Sequence, residues 1–383
     1  MIIGVAKETY PGECRVAMVP ASLPAMVKAG FEVLVETGAG LPAAFPDDAY
    51  TEKGARIAAS RKELFEKSDV IFQIRSAGAN PQAGQADLAL MRRGLVVIGL
   101  AEPLTSPQVV KTLADRGVTL FALELMPRVS RAQSMDVLSS MATIAGYKAV
   151  LLAAEKLPRV FPLLMTAAGT LTPAHVLVIG VGVAGLMAIS TARRLGAVVE
   201  AYDIRPSVKE QVQSVGAKFV ELPLETAEAE GAGGYARAQS EEFLRKQREL
   251  LGEVVAKNDV VITTAAVPGK KAPVLVTAEM VRHMAPGSVV MDLAAEYGGN
   301  CELTRPGETI VENGVAIIGT TNLPSTVPAH ASQMFSRNVS TFLTHLVKDG
   351  KFAFDMNDEI TRSTLVCRDG QVVHPQVAER LKS

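Results

Sequence analysis

Short apolar runs alternate with amphipathic segments along most of the chain, and this alternation predicts α/β structure. In the first third, the apolar runs are rich in β-branched residues and bounded by glycine or charge, as strands are. The predicted strands are Ile2–Val5, Glu32–Val35, Val70–Ile74, Leu95–Gly99 and Val118–Ala122, and the predicted helices are Ser22–Ala29, Arg61–Lys67, Ala86–Arg92 and Pro107–Arg116. Because strands and helices alternate, we expect parallel β-α-β units with helices on both faces of a sheet.

A second series of the same kind follows a long Ala- and Met-rich helical pattern over residues 133 to 157. Its predicted strands are Val176–Gly180, Val198–Tyr202, Lys218–Val220, Val260–Thr264, Val289–Leu293 and Val315–Ile318. A helical pattern over Ala331 to Val347 comes next, and Arg368-Asp369-Gly370 then supplies the turn of a C-terminal hairpin.

The simplest architecture for these elements is discontinuous. We expect two Rossmann-like, doubly wound parallel-sheet domains, the second inserted into the first. Residues 1–140 plus 326–383 would form one domain and residues 141–325 the other. The cleft between two such domains is the natural ligand site.

Composition narrows the function classes. The 383 residues are 48% hydrophobic with a formal net charge of −1, so the chain can bury two cores but has no basic footprint for nucleic acid. Cys14, Cys301 and Cys367 form no C-x-x-C pair, and the five histidines show no metal or triad spacing, so no metal site is expected. The N-terminus lacks a signal-peptide pattern, and no apolar run approaches the ~20 residues that span a bilayer, which predicts a soluble chain.

The strongest motif is a glycine-rich turn in strand–turn–helix–strand context. Gly180, Gly182 and Gly185 follow an apolar strand and open a helix, and Asp203 ends the next strand 18 residues later. The first glycine permits a tight turn, the second lets a pyrophosphate approach the backbone, and the third lets the helix pack on the strand. The helix N-terminus presents N–H groups to the phosphates. A packing turn without a ligand is the structural alternative.

Asp203 bears on the choice of dinucleotide. A carboxylate at this position accepts hydrogen bonds from an adenosine ribose and repels a 2′-phosphate, which favours NAD(H). The nearby Arg205 argues the other way, because an arginine accommodates a 2′-phosphate. Since Asp203 holds the strand-end position itself, NAD(H) is the expected cofactor.

Three further segments are candidates for the site. Residues 123 to 140 concentrate polar side chains that could hold a nicotinamide and its ribose, although a capped helix start with Ser130 or Ser134 as N-cap explains them equally. Thr263 to Ala266 and Asp292 end neighbouring predicted strands, where ligands bind or where small residues merely close the strands. Glycines 231, 233 and 234 around Tyr235 predict either a loop that closes over a ligand or an ordinary surface excursion.

Several of these motifs together resemble one family. RVSRAQSMD at 128–136, the glycine turn, Ala-Gly-Gly-Tyr235 and Ala-Ala-Glu296-Tyr-Gly-Gly-Asn are similar to the NAD(H)-binding domain I of proton-translocating nicotinamide nucleotide transhydrogenase, in the version made as a separate soluble α-subunit. The similarity covers nearly the whole chain, and the segment from Met126 to Asp136 is its most specific stretch.

The resemblance implies hydride transfer between NADH on this chain and NADP⁺ on a partner β-subunit, coupled to proton movement through membrane-spanning subunits. It also implies a homodimer at the cytoplasmic face of the cell membrane, attached through those partners. Such a reaction needs no general base, only alignment of two nicotinamides. It assigns catalytic roles to Arg128, Gln133 and Asp136. The full set of expected cofactor-binding residues is Arg128, Val129, Ser130, Gln133, Ser134, Met135, Asp136, Ser139, Gly180, Val181, Gly182, Val183, Gly185, Asp203, Ile204, Arg205, Gly234, Tyr235, Ala265 and Ala266.

Two alternatives stay open at this point. The opening residues, including Arg15, are also similar to alanine dehydrogenases. Where that family has Lys-Val-Lys-Glu-Pro and Leu-His-Leu-Ala, however, this chain has Gln73-Ile-Arg75-Ser-Ala and Gly99-Leu100-Ala101-Glu102. The lost lysine and imidazole are the groups that would hold and deprotonate an amino acid. A non-catalytic NAD-binding module is the second alternative.

Overall fold

The computed structural model describes residues 1–224, 240–266 and 271–382. The strands, in chain order, are β1 Ile2–Val5, β2 Glu32–Glu36, β3 Arg56–Ala58, β4 Val70–Arg75, β5 Val96–Leu100, β6 Thr119–Ala122, β7 Leu164–Thr166, β8 Gly169–Leu171, β9 His175–Ile179, β10 Val198–Tyr202, β11 Lys218–Phe219, β12 Val260–Thr263, β13 Val289–Asp292, β14 Thr309–Glu312, β15 Val315–Ile318, β16 Val347–Lys348, β17 Lys351–Phe352, β18 Leu365–Arg368 and β19 Gln371–Val372. The α-helices are α1 Leu23–Lys28, α2 Asp47–Thr51, α3 Arg61–Lys67, α4 Gly84–Leu90, α5 Pro107–Asp115, α6 Val137–Lys156, α7 Val183–Arg194, α8 Lys209–Ser214, α9 Glu241–Ala256, α10 Ala278–His283, α11 Pro328–Leu346, α12 Glu359–Thr364 and α13 Pro375–Arg380. The chain divides into two units, Met1–Met141 with Pro324–Ser383, and Ala142–Leu323.

The first unit is built on an eight-stranded sheet of order β19-β18-β6-β5-β4-β1-β2-β3. Strands β1 to β6 pair in parallel, and β18 and β19 extend the edge in antiparallel pairing. The turn between β18 and β19 holds Asp369 and Gly370 at φ angles of 51° and 84°, so a two-residue turn with both φ positive joins them, as the Asp-Gly pair predicts.

The second unit is built on a seven-stranded sheet of order β11-β10-β9-β12-β13-β15-β14, in which β14 alone of the paired strands described runs antiparallel. Alternate residues of β9 enter cores on opposite faces: Val176 and Val178 belong to one, Leu177 and Ile179 to the other. Because both faces are buried, the strand is apolar throughout, as parallel strands between helices are. The expected α/β architecture with parallel-dominated sheets is confirmed.

Three sequence-based expectations about helices and strands were wrong. The helix expected over residues 133 to 157 begins at Val137, because Ser130–Met135 forms a 3-10 helix. Asp136 accepts a hydrogen bond from the Ser139 backbone N–H at 3.0 Å, so it caps the helix in place of Ser130 or Ser134. The β7–β8 hairpin falls in a segment taken as a loop, and β14 was missed.

The expectation that no segment is long and apolar enough to span a bilayer was also wrong. Among the described residues, α6 has 20 residues and a mean hydropathy of 1.5 over its most apolar 18-residue window. This is weak evidence for a membrane span, because core helices of water-soluble domains meet the same criterion. Ala149, Val150 and Ala153 of this helix lie in the core of the second unit.

Asp292, at the end of β13, organises the loop that follows its strand. The carboxylate is fully buried and accepts five hydrogen bonds within 3.0 Å. The donors are the Thr263 and Thr304 hydroxyls and the backbone N–H groups of Ala294, Asn300 and Cys301. A carboxylate with its lone pairs used in this way is a structural group, so the strand-closing interpretation of Asp292 holds.

Replacing Asp292 with Ala leaves five buried donors without their acceptor, so we expect the free energy of unfolding to fall by about 3 kcal/mol or more. Chemical denaturation measures this change. Glu312→Gln is the matched control, because Glu312 pairs with Arg282 at the surface and its loss costs about 0.5 kcal/mol or less. Equal stability of the two variants would contradict the structural role of Asp292.

Candidate functional site

The turn between β9 and α7 uses its three glycines for different reasons. Gly180 has a φ of 95°, which other residues rarely adopt, and a Cβ on Gly185 would overlap the carbonyl oxygen of Gly180. Gly182 differs from both, because its φ is −83° and a Cβ built on it meets no atom within 4 Å. The fold therefore requires glycine at Gly180 and Gly185 but not at Gly182. A glycine at that exposed position leaves room for a ligand against the backbone.

Helix α7 starts at this turn and is packed tightly against α6. Gly182 is its N-cap residue and the helix runs for 12 residues from Val183. A Cβ on Gly146 of α6 would overlap the carbonyl oxygen of Ala184, so the two helices approach at backbone distance. First-turn N–H groups have no partners within a helix, and they carry a partial positive charge suited to phosphate.

Asp203 lies at the end of β10, next to the glycine turn. It is 7% exposed, and its Oδ2 accepts a hydrogen bond from the Val181 backbone N–H at 2.7 Å. The Arg205 side chain lies across the same carboxylate, with Nε 2.9 Å from Oδ1 and Nη2 2.7 Å from Oδ2. The arginine that complicates the choice between NAD and NADP is thus ion-paired with the aspartate that favours NAD. Ile204 lies between them and is half-buried.

The end of β12 closes the other side of the turn. The Thr264 hydroxyl donates to the Gly180 carbonyl at 2.8 Å. Ala265 is held at both of its backbone groups by the Asn300 side chain, with N–Oδ1 of 2.9 Å and Nδ2–O of 2.8 Å. Ala265 and Ala266 are half-buried. The structure therefore brings the glycine turn, Asp203 and these two alanines together at the carboxyl edge of one parallel sheet, where ligands bind in open α/β folds.

Not every predicted residue of this edge presents its side chain to a ligand. Val181 is 1% exposed and its side chain belongs to the core, while Val183 is half-buried. Asn300 and Thr264, which fix the edge, were absent from the predicted site. Asn300 stands in the Glu296-Tyr-Gly-Gly-Asn motif, which is the one sequence signal that pointed to it. Gly234 and Tyr235 lie outside the described residues.

The polar segment of the first unit has two faces. Ser130–Met135 is a 3-10 helix, in which residues three apart lie on the same side. Ala132 and Met135 are 0% and 7% exposed, whereas Ser130, Arg131, Gln133 and Ser134 are exposed. The predicted holders Gln133 and Ser134 are therefore presented to the outside by the burial of their neighbours. Met135 anchors the segment and Val129 is half-buried.

Asp136 and Ser139 form a local pair at the end of this segment. The Ser139 hydroxyl donates to Asp136 Oδ2 at 2.6 Å, and its backbone N–H donates to Oδ1. Asp136 thus fixes the direction in which the chain enters α6. Arg128, also expected at the site, has an exposed side chain.

Titratable groups near the glycine turn offer no reactive nucleophile among the described residues. Burial raises the pKa of the Cys301 thiol to about 11, which keeps it protonated at neutral pH. Burial also raises the pKa of the Tyr202 hydroxyl, which accepts a hydrogen bond from the Gln247 amide at 2.8 Å. The described residues contain no group of three side chains suited to a metal ion. The arrangement binds and orients rather than attacking a substrate.

Two family profiles match the chain. "Alanine dehydrogenase/PNT, N-terminal domain" covers residues 4–145, and "Alanine dehydrogenase/PNT, C-terminal domain" covers residues 149–375. In Rhodospirillum rubrum, the first of the separate chains that make up NAD(P) transhydrogenase subunit alpha is 50% identical over 98% of each chain. The alanine dehydrogenase of Bacillus subtilis is 28% identical over 100% of this chain and 95% of its own.

Solved structures give the same relationship. The crystal structure of transhydrogenase from Sinorhizobium meliloti superposes with a TM-score of 0.87 at 43% identity, covering 97% of this chain and 100% of that one. An L-alanine dehydrogenase structure superposes with a TM-score of 0.83 at 26% identity over 100% and 99%. Alanine dehydrogenases are therefore the more distant relatives. The chain belongs to the alanine dehydrogenase/PNT family, and its relatives of high identity are NAD(P) transhydrogenase α subunits.

Proposed function

We propose that this chain is the NAD(H)-binding component of a proton-translocating NAD(P)⁺ transhydrogenase, and that it exchanges hydride with NADP(H) held on a partner subunit. The observation that carries the cofactor assignment is Gly182. It is a glycine that neither backbone strain nor packing requires, at the start of a helix and beside a buried acidic residue. Close approach of a pyrophosphate to the backbone accounts for it.

The residues at the sheet edge divide the cofactor among them. The backbone from Gly180 to Gly185 and the N-terminus of α7 bind the pyrophosphate. Asp203 accepts from the adenosine ribose, and Ala265 and Ala266, fixed through Asn300, border the same edge. Tyr235, outside the described residues, closes over the cofactor.

The segment from Arg128 to Ser139 holds the nicotinamide end. Bound NAD supplies the C4 atom that accepts and donates hydride. The chain itself aligns that end and excludes water, and no side chain has to take a proton. Gln133 and Arg128 contact the carboxamide and ribose from the exposed side of the segment, and Asp136 with Ser139 holds its end.

Other subunits are implied, since the relatives are named as subunits of an enzyme. In the proposed assembly the chain is a homodimer on the cytoplasmic face of the cell membrane, bound to membrane-spanning subunits that include the NADP(H)-binding β-subunit. An exposed apolar hairpin supports the homodimer. Met165 in β7 is 80% exposed and Leu171 in β8 is 51% exposed, a cost in water that burial against a second chain would remove.

The reaction itself is tested with membranes that contain the transhydrogenase membrane subunits but lack this component. Reduction of an NAD analogue by NADPH is expected only after the chain is added. A chain that binds NADH tightly yet gives no activity with these membranes would contradict the proposal, and alanine would then be the next substrate to try.

Gly182→Ala separates cofactor binding from folding. We expect NADH affinity, measured by titration calorimetry, to fall by roughly tenfold or more because the new methyl group occupies the space of the pyrophosphate. The midpoint of thermal unfolding should not change, since the added Cβ meets no atom of the protein. Gly252→Ala in α9 is the control, because a Cβ there has room and lies far from the turn. Unaltered NADH affinity of Gly182→Ala would overturn the assignment.

Asp203→Ala tests the choice of dinucleotide. Loss of the carboxylate removes a ribose acceptor and leaves the Arg205 guanidinium without its ion-pair partner at the same place. NADH affinity should fall by roughly tenfold, and the preference for NADH over NADPH should narrow. Arg205→Ala serves as the matched variant and should leave the preference intact. If Asp203→Ala keeps the original preference, Asp203 does not select the cofactor.

Gln133→Asn shortens an exposed side chain by one methylene while keeping its amide. We expect hydride transfer to slow by roughly tenfold or more, because a small misplacement of the reacting atoms is costly, with NADH affinity changed about twofold or less. Gln213→Asn, at an exposed position in α8, is the control. Equal losses in rate and in affinity would show that Gln133 contributes binding alone.

A further inference from the structure

The 3-10 helix Ser130–Met135 is held at two points by residues distant in sequence. The Asn338 side-chain amide in α11 donates to the Ser134 backbone carbonyl at 2.8 Å. Asp358, the N-cap residue of α12, accepts from Arg131 Nη2 at 3.0 Å. These contacts lie on either side of Gln133, so they fix the short stretch of backbone that carries it.

Asn338 offers a rigid anchor, because α11 is itself fixed. Its Ser332 and Ser336 hydroxyls accept hydrogen bonds from the backbone N–H groups of Val16 and Val19, at 2.9 and 3.2 Å. Asn338 is 6% exposed. A buried amide on a fixed helix holds its acceptor more strictly than a solvated side chain does, since water does not replace the bond at low cost.

Asp358 joins three donors at one carboxylate. Besides Arg131, it accepts from the Thr361 backbone N–H at 2.8 Å and lies 2.9 Å from His345 Nε2. Burial alone would raise the pKa of Asp358, but these hydrogen bonds outweigh it and hold the pKa well below its usual range. The carboxylate is therefore ionised whenever Arg131 meets it. Because the Arg131 side chain is 63% exposed, this second contact is the weaker of the two.

Neither contact is needed to build the fold around it. Asp358 would cap α12 through Thr361 without Arg131, and Ala132 and Met135 already bury the inner face of the segment. The contacts add orientation of its outer face. Hydride transfer depends steeply on such orientation, since a misplacement of about 1 Å can cost a hundredfold in rate.

We propose that Asn338 and Asp358 are positioning residues for hydride transfer, which set the placement of Gln133 by holding Ser134 and Arg131. This inference rests on the proposed function of the segment at the nicotinamide end. Neither residue touches the cofactor, so their loss changes the rate of the transfer step and leaves the affinity for NADH unaffected.

The test compares two variants with two controls. Asn338→Ala removes the donor to Ser134. Asp358→Asn removes the charge that holds Arg131 but keeps a good N-cap for α12. Ser340→Ala changes another buried side chain of α11, and Asp355→Asn removes an exposed charge close to Asp358. Each chain is added to membranes with the partner subunits, and kcat for hydride transfer, KM for NADH and direct NADH affinity are measured.

We expect kcat to fall roughly tenfold or more in Asn338→Ala and a few-fold in Asp358→Asn, with NADH affinity and KM within about twofold of the controls. Hydrogen exchange of the 131–136 amides in the chain alone should accelerate in both variants and not in the controls. A kcat equal to that of the controls, or an affinity that falls in step with kcat, would overturn the positioning role. If Asn338→Ala folds poorly, Asp358→Asn decides by the same criteria.

Failure of the proposed function gives a different result. In that case the unmodified chain supports no hydride transfer with the membranes. Hydrogen exchange in the chain alone then still reports whether Asn338 and Asp358 hold the segment, and unchanged exchange in both variants would overturn the inference independently of activity.

Discussion

The close approach of α7 to β9 through the glycine turn is the constraint on which the cofactor edge depends. A Cβ at Gly185 would overlap the Gly180 carbonyl, so the helix can begin this near the strand only with glycine there. This approach directs the first turn of α7 at the sheet edge and lets Asp203 reach the Val181 N–H. The Thr264 hydroxyl then completes the turn by donating to the same Gly180 carbonyl. Binding at this edge is thus carried by backbone geometry more than by side-chain chemistry.

The segment from Ser130 to Met135 has the complementary task. Its inner side chains anchor it by burial, while distant residues of α11 and α12 fix its exposed side. The two sites described therefore differ in physical character: one is built by a local turn, the other by long-range contacts. A reaction that transfers hydride between two bound nicotinamides fits this division, because tight binding and close alignment are separate demands.

Local sequence rules predicted the features of the fold that local physics determines. The apolar runs indicated both parallel sheets, the glycine spacing located the turn, and Asp369-Gly370 identified the hairpin. Long-range contacts escaped prediction. Asn300 fixes Ala265 from 35 positions away, and the carboxylate of Asp292 was an open candidate until its five donors were known. The start of α6 was misplaced because Ala132 and Met135 fit a helical pattern equally well, although they belong to a 3-10 helix.

Isotope tracing tests the central claim most directly, namely that this chain aligns one nicotinamide for hydride transfer from another without a proton-carrying intermediary. NADPH carrying deuterium at both C4 positions is supplied to the partner subunits in ordinary water, together with this chain and NAD⁺. Mass spectrometry of the NADH formed is expected to find one deuterium per molecule at C4. NADH formed without deuterium would mean that hydrogen passes through an exchangeable group, and it would contradict the account.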